Sequence, residues 1–205
     1  MLLERERVQV KLDRKFGVAI LGLLLIGIGY VSLSGGKSSD SGHDMGSMSH
    51  GSSSDQMNSS DAMFLQMMIP HHQQAVVMSQ LAVKNSSNPE VIALAEKIRD
   101  AQGPEIAAMK SWLKVAGLGE DPGHSMGSMK GMLTEDDVAS LKKATGKEFD
   151  RLFLAGMIAH HDGAVEMLSM IEKTTNPDVK RLGNEILASQ SAEIEVMSQM
   201  LKAIG

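Results

Sequence analysis

Apolar side chains recur at alternating spacings of three and four residues in four segments of this chain, which is the pattern of helices with one buried face. Asn88 and Asn176 each precede a proline, as an N-cap residue precedes the first helical position. Gly117 can end a helix, and Thr134 with Asp137 predicts a short capped helix in a long connection. The main helices are predicted over 61–84, 89–116, 147–173 and 177–204.

The second pair of helical segments repeats the first. Residues 61–84 and 150–173 share 11 identities in 24 positions without a gap, and residues 88–113 and 176–201 share 10 in 26. The second copy is one residue shorter between its two helices. Two duplicated helical hairpins with short turns and one long connection predict an all-α four-helix bundle over 61–205, with approximate twofold symmetry.

An uncharged apolar run, 16–33, precedes the bundle and is just long enough to span a bilayer. Residues 1–15 carry five Lys or Arg against three Asp or Glu. Because basic flanks stay in the cytoplasm, we expect a single-pass transmembrane anchor with the bundle in the periplasm or at the cell surface. A cleaved signal peptide is the alternative, since Ser32-Leu33-Ser34 fits a cleavage site, and the protein would then be secreted.

Methionine is the unusual feature of the composition, with 17 residues, and cysteine is absent. Aromatic residues make up 3%, which argues against a β-sandwich or barrel. Without cysteine, a metal site must use His, Met, Asp, Glu or backbone groups. The formal net charge is −5 and the first 15 residues contribute +2, so the remainder carries −7 and has no basic patch for a nucleic acid.

Two segments rich in Ser, Gly, Met and His, 34–60 and 117–133, lack a stripe that could be buried and are predicted to be flexible. Thioethers favour cuprous copper, whereas imidazoles also bind cupric copper and zinc. A low-complexity linker with incidental methionines is the alternative, but HDMGSMSHG at 43–51 recurs as HSMGSMKG at 124–131. The candidate ligands in these segments are His43, Met45, Met48, His50, His124, Met126, Met129 and Met132.

Two histidine pairs lie inside the predicted core. His71-His72 and His160-His161 occupy matching positions of the two copies, and each pair follows a methionine by three and four residues. Side chains at those spacings share one helix face and lie within reach of one ion. Packing or a buried polar network is the alternative reading, because a glutamate could simply pair with a protonated histidine.

Heights along the helices, counted from each hairpin turn at about 1.5 Å per residue, predict two adjacent layers. One collects the four histidines with Gln102 and Gln190, and the other collects Met68, Met157, Glu105 and Glu193. Burying so many polar groups is costly unless they pair or bind something. The candidate ligands in the bundle are His71, His72, His160, His161, Met68, Met157, Met78, Met167, Glu105, Glu193, Met109 and Met197.

Three functions are compatible with these features. The first is an extracytoplasmic protein that sequesters copper, confers copper tolerance or passes copper to a copper-handling partner, with zinc as a second candidate metal. The others are a structural or interaction module with a buried His/Glu network, and a metal-dependent redox enzyme. No Glu lies three residues before a histidine, as di-iron bundles require, and no catalytic motif is present. We therefore expect a binding protein rather than an enzyme.

The motifs FDRLFLAGMIAHHDGAVEML at 149–168 and MFLQMMIPHHQQAVVM at 63–78, with Q-x-x-E-I-x-x-M at 102–109 and 190–197, resemble the bacterial family numbered 305 among the domains of unknown function. The resemblance covers about 61–204, and the Met and His positions of the bundle match the family pattern. It implies a ferritin-like four-helix bundle, an exported location, and copper binding or copper tolerance in some members.

Overall fold

The structure is a computed structural model that describes residues 57–121 and 129–205. These residues form α1 (Ser59–Asn85), α2 (Pro89–Val115), α3 (Glu135–Lys143), α4 (Gly146–Met167) and α5 (Pro177–Ile204), with a 3₁₀ turn at Leu168–Ile171. The all-α prediction is confirmed for this part of the chain. The predicted anchor, 16–33, lies outside the described residues, and none of the helices described has the length and apolar character needed to cross a membrane.

Capping residues account for the starts of α1, α2, α3 and α5, whereas α4 starts without a side-chain cap. α1 begins two residues before the predicted boundary because Asn58 and Asp61 form a capping box, in which the Asn58 side chain accepts a 2.8 Å hydrogen bond from the Asp61 N–H. The predicted linker 34–60 therefore includes the first residues of α1. The short helix α3 has the expected capping box between Thr134 and Asp137.

The second hairpin closes with a tighter turn than the first. The predicted third helix, 147–173, ends as an α-helix at Met167 and continues as the 3₁₀ turn. A 3₁₀ turn rises about 2.0 Å per residue, against about 1.5 Å in an α-helix. The 3₁₀ turn lies just before the position at which the second copy lacks one residue.

The four long helices form two antiparallel hairpins, α1–α2 and α4–α5, which contact each other mainly through α1 and α4. Ser86, in the first turn, donates a hydrogen bond of 2.5 Å to Oδ1 of Asp150, near the start of α4. α1 and α4 therefore run antiparallel, and the two hairpin turns lie at opposite ends of the bundle. The approximate twofold axis crosses the helices near their midpoints.

The buried apolar side chains form two separate cores, one on each side of the midpoint. Both cores contain residues from all four long helices, so each joins the two hairpins. The first core includes Phe64, Leu65, Met68, Met109, Leu113, Met167, Ile171, Val179 and Ile186. The second core includes Met78, Val91, Ile98, Leu141, Phe149, Phe153, Met157 and Met197.

Candidate metal centre

A polar layer separates the two cores at the middle of the bundle. Every long helix contributes two residues to it, and all eight are buried apart from Glu105, whose side chain is 11% exposed. The polar layer consists of His71, His72, Gln102, Glu105, His160, His161, Gln190 and Glu193. Such residues are rarely buried unless they are paired, so their partners decide what the layer can do.

One histidine of each pair contacts a glutamate. Nε2 of His72 lies 2.9 Å from Oε2 of Glu105, and Nε2 of His161 lies 2.9 Å from Oε2 of Glu193. The heights counted from the turns placed Glu105 level with Met68 instead. The difference arises because helical side chains lean toward the N-terminus of their own helix, so His72 and Glu105 on antiparallel helices lean toward each other.

The predicted layer of Met68, Met157, Glu105 and Glu193 does not form. Met68 belongs to the first core and Met157 to the second, on opposite sides of the histidines. Because α1 and α4 are antiparallel, residues that precede His71 and His160 diverge along the bundle. The six core methionines predicted as ligands are accordingly split, with Met68, Met109 and Met167 in the first core and Met78, Met157 and Met197 in the second.

The other histidine of each pair meets its counterpart on the twofold axis. The rings of His71 and His160 have centroids 3.8 Å apart and planes inclined by 40°. No side chain hydrogen-bonds to a nitrogen of either ring, although the Lys130 backbone lies close to His71 and the His71 backbone lies close to His160. Burial, followed by repulsion from His72, lowers the pKa of His71 from 6.5 to about 3, although the nearby Lys130 backbone opposes the shift. Burial also lowers the pKa of His160 well below 6.5.

Both rings are therefore unprotonated near neutral pH, which is the form that binds metal ions. His72 and His161 also keep one free nitrogen each, because Nδ1 has no partner while Nε2 contacts the glutamate. A carboxylate on one ring nitrogen is the usual arrangement behind a metal-binding histidine. All four imidazoles thus offer a nitrogen donor.

The donor set suits copper better than a hard cation. The Oε1 atoms of Gln102 and Gln190 are also buried without a partner, whereas native structures leave few buried polar atoms unpaired. Across residues 57–121 and 129–205, no three His, Asp or Glu side chains already converge as a metal site. Binding there requires ring movement or thioether ligands. Imidazole and thioether are copper ligands, so the residues present fit that ion.

The two halves of the polar layer differ in charge. Nζ of Lys97 lies 3.5 Å from Oε1 of Glu193. The residue that corresponds to Lys97 in the second copy is Glu185, so Glu105 has no equivalent lysine. The lysine side chain is 58% exposed, whereas that of Glu193 is 6% exposed, so the pair places a solvated cation beside a buried carboxylate. The approximate symmetry of the histidines therefore does not extend to the charges around them.

A short stretch of the long connection crosses the polar layer on the face formed by α1 and α4. This stretch, Met129–Leu133, is called the strap here. Gln74 holds it with two hydrogen bonds, accepting from the Leu133 N–H at 2.7 Å and donating to the Leu133 carbonyl at 2.9 Å. The strap also reaches the second hairpin through the ion pair of Lys130 with Glu166.

The sequence identified Met129 and Met132 as candidate ligands, but it did not identify Gln74 or predict that the strap crosses the polar layer. The available signal was a difference between the copies, because Gly163 occupies the position that corresponds to Gln74. Of the candidate ligands in the two Met/His-rich segments, Met129 packs against the first core and Met132 is half-buried in the strap. The others lie outside the described residues, and they are His43, Met45, Met48, His50, His124 and Met126.

Known proteins with the same fold include copper-bound ones. CopM in its Cu(I)-bound form is 35% identical, with a TM-score of 0.60, over 72% of this chain and 98% of that one. CopM has also been solved with Cu(II) and with silver. A DUF305 protein of Streptomyces coelicolor, described as secreted, is 33% identical, with a TM-score of 0.68, over 72% of this chain and 94% of that one.

Two further similar proteins have names that state no function. A DUF305 fragment from Deinococcus radiodurans is 31% identical, with a TM-score of 0.67, over 72% of this chain and 99% of that one. The uncharacterized protein L153 of Acanthamoeba polyphaga mimivirus is 38% identical over 53 residues, which are 25% of this chain and 35% of that protein. The sequence also matches the domain of unknown function DUF305 over residues 61–201. Since this match spans nearly the whole bundle, the chain belongs to the DUF305 family.

Proposed function

We propose that this protein binds copper outside the cytoplasm and either sequesters it or passes it to a copper-handling partner. The bundle holds the ion at the polar layer, with His71 and His160 as the central ligands. His72 and His161 are oriented by Glu105 and Glu193 and add their free nitrogens. Copper is the cargo of this protein, and no catalytic step is proposed.

The observation that carries the proposal is the set of unpartnered imidazole nitrogens at the twofold axis. A buried polar network would have each histidine donate to a glutamate or glutamine, but His71 and His160 have no such partner. The proposal also has support from CopM, which binds Cu(I) and Cu(II) on the same fold. The donor set gives independent support, because it is rich in imidazole and thioether and lacks thiolate.

The N-terminal sequence is the basis for the proposed location of the protein. The uncharged run 16–33 and its basic flank support a single-pass anchor with the bundle on the extracytoplasmic side. The relative described as secreted supports an exported domain. In this position the Met/His-rich segments, 34–60 and 117–133, would capture ions near the membrane surface and the bundle would hold them.

The direct test is metal analysis of the purified chain after equilibration with copper and zinc in competition, under reducing and oxidising conditions. We expect copper to be retained in preference to zinc, and cuprous copper to be retained at the higher stoichiometry because the thioethers add to the imidazoles. Retention of neither metal after gel filtration would reject the proposal. A redox enzyme would in addition turn over cuprous or ferrous ions with dioxygen, and a binding protein would not.

A further inference from the structure

The strap lies directly over the histidines at the twofold axis. A Cβ placed on Gly131 would be 3.0 Å from Cα of His160 and 2.4 Å from the carbonyl oxygen of Ala159. The backbone of Lys130 is also close enough to His71 to affect its protonation. His71 and His160 are 0% and 1% exposed, so an ion that approaches from the α1–α4 face meets the strap before it meets the rings.

The two copies of the hairpin differ where the strap crosses them. A Cβ on Gly163 would be 2.0 Å from the carbonyl oxygen of Lys130, so α4 must have glycine there. The corresponding residue of the first copy is Gln74, which binds Leu133. At Gly156, where the first copy has Met67, an added Cβ would lie 3.4 Å from the Leu133 side chain, so this glycine packs against the strap without being required for space. The second copy makes space for the strap at Gly163, and the first copy binds the strap through Gln74.

Few polar contacts fasten the strap. Its backbone is held to α1 by the two Gln74 hydrogen bonds, and the ion pair of Lys130 with Glu166 joins two exposed side chains. Gly131 has a φ of +84°, a conformation that residues other than glycine rarely adopt. Near the histidines the strap thus has one specific polar attachment, through a single side chain, while Met129 packs against the first core and Leu133 against the second.

We propose that the strap is a lid over His71 and His160, that Gln74 is its latch, and that copper reaches the two histidines when the lid lifts. The inference rests on the proposed function for the identity of the ion. Met129 and Met132 lie on the lid itself, so a cuprous ion bound to their thioethers would be carried next to the rings as the lid closes. Gln74 is thus a positioning residue rather than a ligand.

Two matched pairs of variants test the lid. Gln74→Ala removes the latch, and Gln66→Ala is its control because Gln66 also holds the connection, through the Gly119 carbonyl at 2.8 Å, but outside the strap. Gly163→Ala forces the strap off α4. Its control is Gly103→Ala, since a Cβ there meets nothing within 4 Å.

The first readout needs no metal. Diethylpyrocarbonate modifies accessible, unprotonated imidazoles, and peptide mass spectrometry resolves the site. We expect Gln74→Ala to raise the modification rate of His71 and His160 about tenfold, in line with the loss of one or two neutral hydrogen bonds. His72 and His161 should change little, because they face the glutamates. Gly163→Ala, provided that its circular dichroism is native, should behave in the same way, and both control variants should match the wild type.

The second readout is the rate at which cuprous copper passes from a chromogenic chelator to the protein. Gln74→Ala should accelerate loading without changing the final stoichiometry, and Gln66→Ala should leave the rate unchanged. Unchanged reactivity of His71 and His160 in Gln74→Ala would overturn the lid, and so would an equal rise at all four histidines, which indicates general unfolding. If no variant takes up copper, the proposed function fails, while the reagent still decides whether the lid exists.

Discussion

His71 and His160 face each other across the approximate twofold axis of the bundle, with ring centroids 3.8 Å apart. The contact forms because each residue occupies the midpoint of its helix and the two helices are antiparallel. Neighbouring histidines on the same helices turn instead to Glu105 and Glu193. Two residues that are adjacent in sequence thus have different partners, which makes their roles separable by mutation.

Acidification should destabilise the metal-free protein from about pH 6.5 downward. The pKa of His71 is lowered to about 3 by burial, and that of His160 is lowered as well. Below pH 6.5 the unfolded chain binds protons that the folded chain excludes, so the free energy of unfolding falls as the pH falls. The slope should approach about 1.4 kcal/mol per pH unit for each histidine. Urea unfolding between pH 7.5 and 5 measures it, and the double variant His71→Leu, His160→Leu should show a shallower slope.

The two kinds of histidine should respond oppositely to replacement by leucine. In metal-free protein, His71→Leu with His160→Leu should preserve or raise stability, since unpartnered polar rings give way to apolar packing. His72→Leu with His161→Leu should lower stability by about 1–3 kcal/mol for each glutamate left without its partner. Chemical denaturation of both double variants measures the difference. Equal losses would show that all four histidines belong to one structural network.

Methionines of the two Met/His-rich segments should contribute copper capacity without contributing much stability. Replacing Met45, Met48, Met126, Met129 and Met132 with leucine removes the sulfur and nearly conserves volume. We expect the stoichiometry of bound cuprous copper to fall, while Tm changes little. Met129 should also be replaced alone, because it packs against the first core and its replacement can change Tm. An unchanged stoichiometry of bound copper would support the alternative that these segments are linkers with incidental methionines.

The N-terminal run should keep the protein in the membrane. Cell fractionation of the native host is expected to place the full-length chain in the membrane fraction, resistant to high salt and released by detergent. Protease added to spheroplasts should digest the bundle, as the basic flank predicts. A mature protein that begins near Gly35 and appears in the soluble exported fraction would support the signal-peptide alternative instead.

Local patterns predicted the helices because most of their starts depend on nearby capping residues, α4 being the exception. Asn88 and Asn176 cap the helices that follow them, as expected, and the 3–4 spacing identified the buried faces. The exception is in the second hairpin, where the α-helix predicted to reach residue 173 ends at Met167 and is followed by the 3₁₀ turn at Leu168–Ile171. The sequence was therefore sufficient to predict the type of these helices and their buried faces.

The sequence was not sufficient to predict how segments that are distant in the chain pack against each other. Duplication shows that the two copies are equivalent but leaves the direction of the twofold axis open, so Met68 and Met157 were placed in one layer although the structure separates them. The heights counted from the turns also took no account of the tilt of side chains toward the N-terminus of their helix. This tilt brings Glu105 into contact with His72. The contact of Gln74 with Leu133 links residues 59 positions apart, and no periodicity encodes it.

The central claim is that copper binds between the bundle histidines of the folded state. Thermal unfolding should be followed with and without copper for the wild type, for His71→Leu with His160→Leu, and for a control pair in the N-terminal segment, His43→Leu with His50→Leu. Copper that binds only the native state stabilises it by about 2.7 kcal/mol at a hundred times the Kd. We predict a higher Tm with copper in the wild type and in the control, and little or no rise in the bundle variant. An equal rise in all three proteins would contradict the claim.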